Sequence, residues 1–457
     1  MNFLEICRKF IEIDSSPSAG TLEIARYAAE LCKQAGLDVE LQNESQNGLD
    51  QANVIARPER AGASELPAEE FLLQTHLDTS DPGSYGLWTR TGANPFNASI
   101  YQDTLFGLGT ADTKLDFLCK LEAARLVKTS MEERGQTWKI PFVLVGTFGE
   151  EHAMQGAVRL IRKKKIHAKL ALVGEPTELN LVHSGKGFAG VEIEIPFSNE
   201  EKEFRAQHDR GDGTTTQSRV FIGRAAHSSA PQMGDSAILK MLDYLNKLPD
   251  GLAVMEIEGG ISFNTVPAHA VLEIDMVGAL KESIGAKITR IFKAIADVEK
   301  KFRDYPDAQF IPPEPTLNIG QIRSFEDFVK ISGCVRLPPT VTDAVYEQWM
   351  AILKTACAVN GAIFRVTDSK QPFRTGIHEP LVRICEEELV KLGRSPQLRT
   401  QAVANEANVF SRFGITCVVV GPGQGVGNSH APNEHVKIAE LEDAVRFYRG
   451  VLERICL

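Results

Sequence analysis

Five side chains of kinds that hold divalent cations are spread along the chain: His76, Asp112, Glu151, Glu175 and His430. Imidazole nitrogen and carboxylate oxygen suit Zn²⁺, and catalytic zinc sites keep one position open for water. Five protein ligands exceed what a single catalytic zinc takes. They suit two ions if one carboxylate bridges and water fills the gap, and paired ions ~3.5–4 Å apart lower the pKa of the water between them. Glu150 stands next to Glu151, and adjacent side chains point in different directions, so one can hold a cation while the other handles a proton. Glu150 is therefore the natural general base. Asp78, two residues beyond His76 on the same strand face, is placed to accept the other ring N–H and fix the tautomer. Each residue type alone is usually structural or solvated. Their joint appearance points to a metal site.

The elements that must position these residues can be read from the apolar pattern. Pro141 to Glu151 reads PFVLVGTFGEE, an apolar run too short for a buried helix and rich in valine, hence a core strand that stops at two carboxylates. In open α/β sheets ligands collect beyond the carboxyl ends of parallel strands. Three further runs end alike: Phe71 to Thr75 enters His76-Leu77-Asp78, Leu170 to Val173 enters Gly174-Glu175-Pro176-Thr177, and Ile415 to Val420 enters a glycine-rich loop carrying Ser429-His430-Ala431-Pro432-Asn433-Glu434. Asp112 precedes a helical pattern from Lys114 to Val127, which places it at a helix entrance. Ile24, Ala28, Leu31 and Ala35 recur at helical spacing, with Gly36 as the stop. Short strands are expected at Asp38 to Leu41 and Ala52 to Ala56, and a closing helix presents Leu441, Val445, Tyr448 and Leu452.

From about Ser184 to Gln371 the texture changes to alternating strands interleaved with helices, the pattern of a smaller α+β domain inserted in a larger one. The expected organisation is a catalytic domain over 1–183 and 372–457, with an inserted domain over 184–371. Within the insert, Ile284, Ile288, Ile291, Ile295, Val298 and Phe302 mark a helix expected to bury its stripe on its own domain, with a dimer contact as the alternative. The polar segment Asn199 to Gln217 reads as a flexible loop.

Composition removes whole classes of function. A chain of 457 residues exceeds one hydrophobic core. A net charge of −10 without a basic stripe argues against nucleic-acid binding. The N-terminal MNFLEICRKFIEIDSS carries charges within its apolar pattern, so neither a signal peptide nor a membrane span is expected. Eight scattered cysteines with no C-x-x-C pair suggest reduced thiols and a cytoplasmic location.

Taken in order, His76-x-Asp78, Gly-x-Gly-x-x-Asp112-Thr-Lys, Gly-Glu150-Glu151, Gly-Glu175-Pro-Thr and Ser-His430-x-Pro-Asn-Glu resemble the dinuclear zinc peptidase/deacylase family. That family includes acetylornithine deacetylase, succinyl-diaminopimelate desuccinylase, glutamate carboxypeptidase and peptidase T, and the resemblance covers nearly the whole chain. It implies an α/β zinc-peptidase catalytic domain, a mixed sheet flanked by helices, with an inserted α+β lid domain that often forms the dimer surface. It further implies that Asp112 bridges two zinc ions, one held with His76 and Glu175, the other with Glu151 and His430, with Glu150 as base and Asp78 behind His76. Gly223 to Pro231 resembles the lid segment whose histidine, here His227, stabilises the tetrahedral oxyanion, within its own subunit or across a dimer, where charge develops only in the transition state. Asn264 matches a lid asparagine acting in the same place. The family's substrate-carboxylate arginine falls on Val277 here; Arg336 is the candidate substitute, displaced by an insertion that contains the isoleucine-striped helix, since a guanidinium suits a bidentate grip on a carboxylate, the alternative being a solvated arginine at a strand end. Leu108 and Leu115 replace the family's usual Arg and Gly, and Asn405-Glu406-Ala407-Asn408 replaces a Gly-Thr-Asp type loop.

The activity so implied is hydrolysis of an amide bond in a small peptide or N-acyl amino acid by a water bridging two zinc ions, in a protein with no nucleic-acid or membrane partner. Two alternatives stand beside it: a non-catalytic scaffold that retains the fold, and a mononuclear or Mn²⁺- or Co²⁺-dependent hydrolase, because affinity order alone does not fix the metal.

Overall fold

The computed structural model describes residues 2–46, 48–59, 69–208, 216–249, 252–276 and 282–457. They form two compact units, the first comprising Met1–Ser184, Phe373–Thr400 and Asn405–Leu457, the second Gly185–Pro372 and Gln401–Ala404.

The first unit is built on a mixed nine-stranded sheet. From one edge the strands run Leu37–Gln46, Leu49–Pro58, Phe142–Thr147, Glu70–His76, Ala168–Val173, Thr416–Val419, Leu181–Gly185 and Phe373–Arg374, with Leu398–Gln401 pairing beside Leu181–Gly185. Its centre is parallel: Glu70–His76 lies between Phe142–Thr147 and Ala168–Val173, and Thr416–Val419 continues the parallel set. Every residue of Glu70–His76 and Phe142–Thr147 is buried, as expected of strands covered on both faces. Helices Leu22–Gln34, Lys114–Glu133, Pro380–Lys391 and Ile438–Cys456 supply that cover in one apolar core that includes Phe10, Phe117, Leu144, Leu172 and Phe447. Four central strands thus end side by side at the edge from which the candidate ligands project.

The second unit is an antiparallel seven-stranded sheet in the order Gln217–Ile222, His269–Met276, Leu252–Gly259, Thr316–Ser324, Phe328–Leu337, Gly187–Pro196 and Ile363–Lys370. Helices Ala237–Leu245, Ile284–Lys300 and Asp343–Val359 share a single core with it. The stripe Ile284, Ile288, Ile291, Ile295, Val298 and Phe302 is buried there, each side chain contributing roughly 1.5–3 kcal/mol.

One expectation fails in this unit. Asn199–His208, read from its polarity as part of a flexible loop, is a helix. Two local features outweigh its composition. Ser198 and Glu201 cap its start reciprocally, Glu201 N–H donating to Ser198 Oγ at 3.2 Å and Ser198 N–H to Glu201 Oε2 at 2.9 Å. The other oxygen of the buried Glu201 accepts from Ile284 N–H, and Arg205 lies over the Phe197 ring while donating to the Val254 and Met255 carbonyls. The rest of that loop up to residue 215, like Val277, lies outside the described residues.

Candidate metal centre

His76 closes the strand Glu70–His76, and Glu175 sits two residues beyond Ala168–Val173. Glu150 and Glu151 follow Phe142–Thr147, and Asp112 precedes the helix Lys114–Glu133. His430 comes from the loop after Thr416–Val419, with its backbone in the left-handed region at φ 57°.

These residues converge within the first unit. One ligand atom from each of His76, Asp112 and Glu175 lies within 4.8 Å of the others, and the same holds for Asp112, Glu151 and His430. Asp112 belongs to both sets, and its two oxygens face different histidines. Oδ1 is 3.2 Å from His76 Nε2, and Oδ2 is 3.3 Å from His430 Nε2, which also lies 2.7 Å from Glu151 Oε1. A carboxylate so placed is able to bridge two cations.

Asp78 acts differently from its sequence reading. It lies just past the strand, and its carboxylate accepts the backbone N–H groups of Glu150 at 3.2 Å and Glu151 at 3.1 Å. It is the Asp78 backbone carbonyl, 3.0 Å away, that meets His76 Nδ1, while Asp78 Oδ1 is 3.7 Å from that nitrogen. With Nδ1–H donating to a carbonyl, Nε2 keeps its lone pair. A lone pair and the Asp112 oxygen at 3.2 Å then require a proton or a cation between them.

The electrostatics point the same way. Burial pushes the Glu150 and Glu175 carboxyls well above the usual range, and neighbouring carboxylates push further: Glu175 on Glu150, Asp112 on Glu175. Burial opposes charge on His76, but the hydrogen bond its ring donates to Asp112 and the charges of Asp78 and Glu150 outweigh it and raise that ring's pKa. His430 is pushed up to about 11 by its bonds to Asp112 and Glu151. Asp112 is drawn down, the two histidines overcoming its burial. Among the described residues no lysine or arginine forms an ion pair with Asp112, Glu150, Glu151 or Glu175. Three of these carboxylates, Asp112, Glu151 and Glu175, together with the two imidazoles and with no fixed cation among the described residues, form a donor set that a pair of divalent ions fits.

Two supports of this centre go beyond the site residues expected from the sequence. Glu434 is buried and accepts from the N–H groups of Gly109, Ala111 and Asp112 at 3.1, 2.8 and 2.8 Å, fixing the turn that presents Asp112. Behind the strand ends, buried Lys120 pairs with Asp116 at 2.6 Å and donates to the Gln74 carbonyl, while Thr75 and Tyr448 hydroxyls also donate to Asp116. Glu434 stood within the quoted motif. Asp116 and Lys120 left one clue, an i,i+4 charge pair inside an otherwise apolar helix.

His227, Asn264 and Arg336 belong to the second unit and are gathered there. Ala226–His227 pairs with Thr265–Val266, and Ser228 N–H donates to the Asn264 carbonyl at 2.9 Å. Arg336 reaches Ser228 Oγ at 3.5 Å and stacks over the Phe188 ring, 4.8 Å from its centroid. It is buried, its Nε has no acceptor, and it has no carboxylate partner among the described residues. The His227 ring is exposed, with Nδ1 2.7 Å from Ser229 Oγ.

Comparisons with known proteins bear on the family and the fold. An acetylornithine deacetylase of Erwinia tasmaniensis is 28% identical over 469 aligned positions, covering 100% of this chain and 98% of its own. Among solved structures, aminoacylhistidine dipeptidase from Vibrio alginolyticus superimposes with a TM-score of 0.65 at 15% identity, over 99% of this chain and 96% of its own. An M20 family metallo-carboxypeptidase from Sulfolobus solfataricus does so with a TM-score of 0.62 at 18% identity, over 99% of both chains. These two share the fold, a mixed sheet flanked by helices with a separate antiparallel-sheet domain. The model of peptidase family M20/M25/M40 matches residues 72–454, a span that contains every candidate ligand, and the chain belongs to that family.

Proposed function

We propose that this M20 family metallo-hydrolase cleaves an amide bond in a small peptide or N-acyl amino acid at a pair of zinc ions. His76, Asp112 and Glu175 would hold one ion and Asp112, Glu151 and His430 the other, with Co²⁺ or Mn²⁺ able to replace zinc. When bound, such a pair polarises the scissile carbonyl and acidifies the attacking water.

The chain's own residues supply the proton transfers. Glu150, in no ion pair among the described residues, takes the proton of the attacking water and passes it to the leaving amine. Burial and the neighbouring Glu175 raise the Glu150 carboxyl in the metal-free protein, and bound cations would draw it back toward the range in which a carboxylate accepts a proton. Asp78 holds the Glu150-Glu151 backbone and, through its carbonyl, the His76 ring. In the second unit, His227 and Asn264 would stabilise the oxyanion, and Arg336 would take a substrate carboxylate. Its buried guanidinium, with no carboxylate partner among the described residues and an Nε that has no acceptor, supports that last role. The same reading includes a homodimer through the second unit, whose edge strand Gln217–Ile222 leaves Val220 and Ile222 exposed, and a cytoplasmic location, in keeping with eight free, buried thiols.

The observation that carries the proposal is Asp112, one oxygen toward each histidine. The test is a screen of the zinc-loaded protein against N-acyl amino acids and short peptides with free and blocked termini. Metal-dependent release of an amine from at least one class is expected. Stoichiometric metal with no turnover of any would favour the scaffold reading.

A further inference from the structure

One buried acid near the metal centre has no part in the mechanism above. Glu406 opens the short helix Glu406–Ser411, in the segment that replaces the family's Gly-Thr-Asp type loop, and is only 1% exposed. No lysine or arginine pairs with it among the described residues. Its Oε2 accepts from the Thr147 hydroxyl at 2.7 Å and from the Gln74 side-chain amide, and Gln74 Nε2 also donates to Thr147 Oγ1 at 3.0 Å.

Those two partners are placed with purpose. Gln74 lies two residues before His76 on the same strand face, since side chains alternate along a strand. Thr147 closes the neighbouring parallel strand, in register with His76, three residues before Glu150. One carboxylate oxygen therefore clamps the ends of the two strands that deliver His76 on one side and Glu150 and Glu151 on the other. Burial pushes the Glu406 carboxyl up to about 7, and its charge in turn raises the Glu150 and Glu175 carboxyls, which places it within electrostatic reach of both.

We infer that Glu406 is a positioning residue which, through Gln74 and Thr147, sets the spacing between the His76 ligand and the Glu150-Glu151 pair. The inference rests on the metal-centre reading above, so its test begins with metal rather than turnover.

Wild type, Glu406→Ala, Glu406→Gln and Thr147→Val would be compared by zinc titration, by the visible absorption spectrum of the Co²⁺-loaded protein, and by kcat and KM on whatever substrate the screen identifies. Glu406→Ala should weaken metal binding or lower kcat on the order of 10–100-fold, with a shifted Co²⁺ spectrum and a smaller change in KM. Glu406→Gln keeps an acceptor oxygen and should recover most of that loss. Thr147→Val, nearly isosteric, should change metal binding and spectrum in the same direction as Glu406→Ala even if the latter fails to fold. Wild-type affinity and spectrum in both Glu406→Ala and Thr147→Val would overturn the inference, as would a Gln variant as impaired as the Ala variant. A wild type that binds no metal would overturn the metal reading itself.

Discussion

At the scale of single residues, the centre separates two carboxylates that are neighbours in sequence. Glu151 faces His430 and can take a cation, while Glu150 is in no ion pair among the described residues and has its pKa raised by burial and by Glu175. Replacing Glu150 by Gln should therefore leave the metal content unchanged and lower kcat on the order of 10²–10⁴-fold, as elemental analysis beside steady-state kinetics would show. Loss of metal together with activity would make it a ligand instead. That these side chains gather was legible in the sequence, because they stand at strand ends and a helix entrance of one expected sheet. The atoms were not: Asp78 was read as binding the His76 ring by its carboxylate, and does so by its carbonyl. A backbone contact leaves no trace in residue identity.

At the scale of elements, strand ends do the positioning, and their supports are buried charges. Lys120→Met would leave Asp116 without its cation, and removing one partner of a buried pair costs about 3–5 kcal/mol. Chemical denaturation should show that loss, and an unchanged midpoint would mean that the hydroxyls of Thr75 and Tyr448 suffice for Asp116. The parallel strands and long helices were readable from their apolar periods. The turns that follow them were not. Ala153, Met154, Glu178 and Leu179 all adopt positive φ close behind Glu151 and Glu175, a conformation costing roughly 1–3 kcal/mol each that none of these residue types advertises. The helix Asn199–His208 was misread for the opposite reason, since its polar sequence hides a capping box and an anchoring arginine.

At the scale of the whole molecule, metal, protons and stability are linked. In the metal-free protein His76 and His430 have raised pKa values. Their contribution to stability is complete below their unfolded value near 6.5 and is lost as pH rises, for His430 toward about 11. Cations compete with those same protons, so binding strengthens with pH. The gap in Tm between zinc-loaded and metal-free protein should widen between about pH 6 and about pH 8. A gap that stays constant would mean that the histidines are not displaced by metal. A chain of 457 residues exceeds one hydrophobic core, and the described residues build two, one in each unit.

Metal stoichiometry tests the central claim most directly. Metal-free protein titrated with Zn²⁺ should take up two ions per chain, and Asp112→Ala, which removes the oxygens shared by both sets of ligands, should take up fewer. Saturation of the wild type at a single ion, or two ions still bound by the Asp112 variant, would contradict a carboxylate-bridged pair.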